Sequence, residues 1–392
     1  MFRRRCRKYS LIGLAAVGIG AAGFWYWYRK DAAETAGGAT EPCSVQANGH
    51  SRSKGDAGRH SNEHEKADAM CAVVQRVADT TTMPSLMPRL EQRILEALDV
   101  EVFAANLQQE RANMTVADRR AGLRTVTLRS FARAGAVCWA LPLVHSLVKV
   151  QLAIVGSLIA AESRGSGAGP SQEMQRKFLS LSEHLLHDGV DAIAGQAVEA
   201  VEAIFADGQC DLEQKLGEAQ IVSVLVHIVS GIEAKLREGN MWVDLLLPAQ
   251  GLRDVLDAPA DSQNLQMLLS VTKAARLSES VDSFLTAQDM VRLRGCLGAL
   301  LECASEPTFL HAAHGAALQT ARCIARDVSN AALKATSEPL PAARLAPHVC
   351  RSVKDLLNQP AKILEQLSAG ALNDLAIASF KRAADTVGRV ER

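Results

Sequence analysis

The sequence predicts an all-α protein: a single N-terminal transmembrane helix, a flexible tether, then one elongated helical-bundle domain built round a long central helix. Three observations carry this reading. Ala and Leu abound while alternating β-branched runs are scarce, a composition that favours helix over sheet. The 16 aromatic residues are unevenly spread, with seven in the first 28 positions and nine beyond residue 68, none of those a Tyr. From residue 85 onward apolar positions recur at spacings of three and four.

Residues 9–28, YSLIGLAAVGIGAAGFWYWY, form a stretch of 20 residues without a charge. About 20 residues at 1.5 Å rise cross a hydrocarbon core of about 30 Å. Leu11 and Ile12 belong to the apolar body of this segment, and Phe24, Trp25, Tyr26, Trp27 and Tyr28 close it. Trp and Tyr favour the headgroup level, and Arg29 and Lys30 just beyond them can snorkel into water. A cleaved signal peptide is the competing reading, but five bulky rings would crowd its cleavage region, so a permanent anchor is preferred. Residues 1–8 form a basic tail with Arg3, Arg4, Arg5, Arg7 and Lys8. By charge bias these would keep the N-terminus cytosolic, whereas the unpatterned cysteines fit a reducing compartment for the rest; orientation stays open at this point.

Residues 29–68 are polar, Gly/Ser-rich and aperiodic, the composition of a tether. The domain is expected over residues 69–392. In SLMPRLEQRILEALDVEVFAANL, Leu86, Leu90, Ile94, Ala97 and Leu98 make one helical stripe, with Ser85 as its N-cap and Pro88 in its first turn. A long helix follows over residues 116–163, apolar nearly all round in its later part. Residues 134–161 could instead serve as a second membrane span, which would make the chain a multi-span or transport component. Pro142, His145, Lys149 and Gln151 interrupt that stretch, so buried core is the preferred reading, with a kink at Pro142. Further helices are expected over 173–205, 212–236, 252–256, 262–284, 287–303, 308–335, 342–357 and 360–387.

No catalytic motif emerges. The chain has no HExxH, GxSxG, P-loop or CxxC pair, and RGSGAGPSQ lacks the strand and GK[ST] of a phosphate loop. Basic and acidic side chains balance at 43 each, and VRLRG lacks interleaved aromatics, so no nucleic-acid surface is indicated. His184 with His187, and His311 with His314, stand three apart, but surface helix histidines explain them better than a metal site. His50, His60 and His64 lie in the tether. Nine scattered cysteines suit buried free thiols. No enzyme, cofactor or metal is expected; a tethered module that binds other chains is.

Several stretches, in order, carry a family likeness. They are SLMPRLEQRILEALDVEVFAANL, LRSFARAGAVCWALPLVHSLVKVQLAIVGSLI, KFLSLSEHLLHDGVDAI, DLEQKL, RDVLDAPADSQNLQMLLS and LPAARLAPHV. With the anchor and tether before them, the chain resembles the peroxin 3 family of peroxisomal membrane receptors. The resemblance implies docking of the chaperone peroxin 19, which carries newly made membrane proteins, through an amphipathic helix laid in an apolar groove. By matching position, Phe103 and Leu107 would stand on one wall and Arg119, Leu123 and Val126 on the other. It further implies a single-pass location in the peroxisomal membrane, reached directly or by way of the endoplasmic reticulum, with the N-terminus in the lumen and the domain in the cytosol. Cargo proteins would then be partners by way of peroxin 19.

Overall fold

The computed structural model describes residues 72–110, 112–162, 169–208, 210–257, 285–333, 338–368 and 370–390. The anchor, the tether and the helix expected over 262–284 lie outside the described residues. The described residues are almost entirely helical. The helices are α1 (Met83–Ala97), α2 (Val100–Glu110), α3 (Val116–Glu162), α4 (Gln172–Leu179), α5 (Val190–Ala206), α6 (Glu218–Arg237) and α7 (Met241–Leu246). They continue with α8 (Ala249–Asp257), α9 (Ala287–Ser305), α10 (Pro307–Ala332), α11 (Ala342–Asn358), α12 (Ala361–Ser368) and α13 (Ala371–Val390). One small antiparallel bridge pairs β1 (Lys215–Leu216) with β2 (Leu340–Pro341).

The long central helix is α3, with 47 residues and a length of about 70 Å at 1.5 Å per residue. It is packed by α13, α5, α10, α11 and α6. The most apolar window of α3 is 94% buried inside the domain, which is what an all-round apolar helix at the centre of a bundle requires. Residues 134–159 are all buried by protein, and the second-span reading is set aside. Pro142 lies inside α3 without ending it, and the carbonyl of Pro142 accepts from Ser146 Oγ at 2.7 Å. Trp139 sits at the heart of the packing: its Nε1 donates to the Val229 carbonyl at 3.0 Å and its ring stacks on His314 at 5.8 Å.

Four polar side chains of α3 are buried where they serve neighbouring helices. Arg133 and Gln151 each donate to a carbonyl at another helix's end, Leu98 at 2.6 Å and Phe178 at 2.9 Å. His145 Nε2 donates to Asp79 Oδ1 at 2.6 Å, and Lys149 Nζ reaches Gln75 Oε1 at 2.8 Å, Ser368 Oγ at 3.0 Å and Asp79 Oδ2 at 3.6 Å. Ser368 Oγ also donates to Asp79 Oδ2 at 2.6 Å, and Gln75 pairs with Asn373. Asp79 belongs to a π-helical turn, Ala78–Thr82, that leads into α1. The cluster therefore ties the start of the domain to α3, α12 and α13. Burial raises the Asp79 carboxyl, but hydrogen bonds from His145 and Ser368 and the Lys149 charge outweigh it, holding it below its ordinary value. Burial lowers both His145 and Lys149 despite their Asp79 partner.

Several expected boundaries move. Helix is already formed at residue 72, well before 85. Ser85 is no N-cap: its Oγ donates to the Thr82 carbonyl at 2.7 Å inside a continuing helix, and Pro88 is an interior residue. The stripe ending at Leu98 does not continue through 107, because Leu98 leaves helical geometry at φ −127°, ψ 64° and α2 starts anew. The helix expected over 173–205 is broken after Leu179, then resumes through a short helical turn and a π-helical turn at Leu185–Gly189. Residues 212–217 carry β1 before α6 begins. Gly239 and Asn240 both adopt positive φ (61° and 62°), which stops the apolar run of α6 and starts α7, a helix the periodicity did not suggest. The region 360–387 holds two helices, α12 and α13, with Gly370 between them at φ 92°.

Candidate functional site

The α2–α3 hairpin stands out by what it leaves uncovered. Val100 is the one fully buried residue of α2. Among the described residues, four of the six exposed large apolar side chains lie on this hairpin: Val102, Phe103, Val116 and Leu123. Clustered exposed apolar groups on a folded surface mark a contact site more often than chance.

Local chemistry explains why the hairpin forms. Asp99 caps α2, its Oδ1 accepting from the Val102 N–H at 2.9 Å. Thr115 caps α3 with a reciprocal box: its Oγ1 accepts from the Asp118 N–H at 3.1 Å and donates to Asp118 Oδ2 at 2.7 Å. Gly122 lets the two helices approach, because a Cβ there would meet Leu107 Cδ1 at 2.5 Å. Arg129 lies over the Phe103 ring at 4.0 Å from its centroid, a cation–π contact that holds α2 along α3.

The base of the hairpin is fixed by Arg133, whose side chain is 1% exposed. Its Nε and Nη2 donate to the Leu98 carbonyl at 3.1 and 2.6 Å, and its Nη1 and Nη2 donate to the two oxygens of Glu101 at 2.7 and 2.6 Å. One guanidinium thus satisfies the C-terminus of α1 and grips the first turn of α2. The Arg133 hydrogen bonds hold the Glu101 carboxyl below its ordinary value, against the opposing effect of burial. Burial opposes the Arg133 charge, but Glu101 more than restores it.

The five predicted site residues all lie on this hairpin. Leu107 is half-buried against Gly122, Phe103 is exposed beneath Arg129, and Val126 is half-buried. Arg119 is partly covered and its Nε is buried without a partner. Leu123, rotated about 100° round α3 from Gly122, is 47% exposed. The structure therefore brings Phe103 and Leu107 onto the seam between the helices and leaves Leu123 free beside it. Sequence reasoning missed Val102 and Val116, which extend the apolar surface, and Arg133, which sets its geometry. Val116 could have been found as the apolar residue that follows the Thr115 cap inside the TVAD capping box. Arg133 could not, since its partners lie 32 and 35 positions away.

A cavity of about 580 Å³ opens beside the hairpin base, bounded by Arg93, Leu98, Leu128, Arg129, Val198 and Glu202 among others. Another of about 610 Å³ lies where α9, α10 and α13 meet, around Cys303, Ala312 and Leu375. Neither gathers a catalytic or metal-ligating set; among the described residues no group of three His, Cys, Asp or Glu could hold a metal. His184 faces Asp188 at 3.4 Å and the Asp244 carbonyl at 2.9 Å, while His187 faces Glu183 at 3.7 Å. His314 stacks on Trp139 and approaches Glu233 at 3.2 Å. Cys138, Cys210, Cys296 and Cys303 are buried free thiols, and burial pushes Cys296 up to about 12.

Comparison with known proteins decides the family. The model of the Peroxin-3 family matches residues 157–376, more than half of the chain. The chain belongs to the peroxin-3 family. Peroxisome biogenesis protein 3-1 of Arabidopsis thaliana is 22% identical over 273 residues, covering 65% of this chain and 74% of that one. Peroxisomal biogenesis factor 3 of Mus musculus is 26% identical over 160 residues, covering 38% and 41%. The protein of the same name from Homo sapiens is 25% identical over 156 residues, covering 37% and 40%. This peroxin-3 family member is therefore placed among peroxisome biogenesis factors, a group defined by assembly of an organelle and not by catalysis. The hairpin at residues 100–133 lies before the stretch that the family model matches.

Proposed function

We propose that the chain is a single-pass receptor of the peroxisomal membrane that docks peroxin 19 and its cargo. Residues 9–28 anchor it, residues 29–68 tether the domain, and the domain works in the cytosol with the N-terminus in the lumen. An amphipathic helix from peroxin 19 lays its apolar face on the α2–α3 hairpin, in contact with Phe103, Leu107, Leu123 and Val126, with Arg119 at the edge. The observation that carries this reading is the concentration of exposed apolar side chains on a hairpin held rigid at its base, in a member of the peroxin-3 family. Rigid presentation matters because a surface that needs no reordering on contact keeps more of its burial as affinity.

The test is a pull-down of peroxin 19 by the full chain in a nonionic detergent. The wild type is expected to retain peroxin 19, and the Leu107→Asp/Leu123→Asp variant to lose it with unchanged helical content. Retained binding by that variant overturns the groove. Protease treatment of intact organelles tests the orientation: a C-terminal tag should be digested, and a protected tag would refute the cytosolic domain.

A further inference from the structure

Residues 72–82 form a strap laid across one side of the bundle, held by few apolar side chains and a dense set of polar ties. Val74 and Ala78 are its fully buried apolar residues, while Val73 and Val77 are half-buried. Val74 seats at Gly156, where an added Cβ would meet Val74 Cγ2 at 2.8 Å and the Phe380 ring at 3.5 Å. Gln75 and Asp79, one helical turn apart, carry the polar ties. Gln75 joins Asn373 of α13 and Lys149 of α3, and Asp79 joins His145 and Lys149 of α3 and Ser368 of α12. The strap runs into α1 through the π-helical turn Ala78–Thr82, a geometry rare in helices and frequent at functional sites.

The cluster is balanced for one state of His145. Asp79 and Lys149 are the charged groups that bear on it, and the partners from α12 and α13, Ser368 and Asn373, do not titrate. With His145 neutral, one carboxylate faces one ammonium. A proton on the imidazole sets two cations against Asp79 and places an N–H on Nδ1, which is buried without a partner. Opening the strap returns these groups to water.

We propose that residues 72–82 are a releasable strap: protonation of His145 frees it from α3, α12 and α13 about the π-helical turn while the rest of the bundle stays folded. Under the tethered-receptor reading above, release lengthens the tether. The strap spans about 16 Å as helix and up to about 36 Å extended, so the domain gains about 20 Å of reach from the membrane. The release itself belongs to the domain and does not rest on that reading. Burial opposes the charged imidazole, so opening should become more favourable by up to about tenfold for each pH unit below 6.5, until His145 charges in the closed strap as well.

The experiment is hydrogen–deuterium exchange on the full chain in nonionic detergent, corrected for the intrinsic pH dependence of exchange. From about pH 7.5 to about pH 5, residues 72–82 should lose protection by about three- to thirtyfold, while α5 and α6 keep theirs. His145→Gln keeps a donor toward Asp79 but cannot take the proton, so its strap should ignore pH. Gly156→Ala crowds Val74 without touching the titrating group, and should loosen the strap at every pH with the slope unchanged. Equal loss of protection in the strap, α5 and α6 would mean global unfolding alone and overturns the proposal. A strap unmoved by pH, or a response that persists in His145→Gln, overturns it too. Peroxin 19 takes no part in this readout, so the docking reading stands or falls separately.

Discussion

Arg133 and Leu123 illustrate how differently two residues of one hairpin should respond to change. Arg133 is buried and bridges α1, α2 and α3, so Arg133→Met leaves the Leu98 carbonyl without its donor. A cost of about 2–3 kcal/mol is expected, read as a lower midpoint in urea unfolding. Glu101 is 63% exposed, and Glu101→Gln should cost under about 1 kcal/mol because solvent already screens its half of the pair. Leu123→Ala should leave stability within about 0.5 kcal/mol yet weaken peroxin 19 binding by about 1–2 kcal/mol, measured by calorimetry. Exposure sets the first figure and the anchor role proposed for Leu123 sets the second. Gly189→Ala belongs here too. A Cβ at Gly189 would stand 2.5 Å from the Leu245 carbonyl oxygen, a backbone atom that cannot swing aside, so a loss of about 1–3 kcal/mol should follow.

At the scale of elements, the Asp79 cluster makes stability depend on pH. His145 stays neutral in the fold below its ordinary value of 6.5, while the unfolded chain takes up a proton there. Stability should therefore fall as pH drops below 6.5, until His145 charges in the folded state as well. Asp79 adds a second arm: its contribution is present above 3.8 and is lost as pH falls through its lowered folded value. Lys149 is also lowered, so in the alkaline range stability gains as pH rises toward 10.5. Melting temperature against pH should show the first arm near neutrality, and His145→Gln should remove it. Asp79→Asn leaves the buried Lys149 ammonium facing an amide and should cost about 2–3 kcal/mol at neutral pH. Loss of that tie should also raise hydrogen exchange in the helical segment from residue 72 onward and in α12, which Lys149 alone would then bridge through Gln75 and Ser368.

For the whole molecule, the decisive contrast is between two apolar segments of similar length. Residues 9–28 have basic flanks, no charge and a rim of aromatics, whereas the apolar part of α3 is wrapped by helices on every side. A fragment of residues 69–392 is therefore expected to be soluble and helical without detergent, checked by sedimentation and circular dichroism. Aggregation of that fragment would reopen the second-span reading. Deleting residues 1–30 should release the chain from membranes.

Composition and periodicity alone point to the all-α class and the central helix, because these depend on neighbours three or four positions apart, whereas the candidate surface at residues 103–126 is implied only by the family resemblance. Where helices stop is another matter. The end of α1 at Leu98, the break after Leu179 and the π-helical turn at Ala78–Thr82 are each met by a polar side chain of α3: Arg133, Gln151, and His145 with Lys149. In the sequence His145, Lys149 and Gln151 read as interruptions of an apolar run. In the fold they are the partners that make irregular backbone tolerable inside a core, where an unpaired carbonyl or carboxylate costs kilocalories. Such partners lie between 27 and 70 positions away in the chain, beyond any local pattern, and only the packed bundle brings them together.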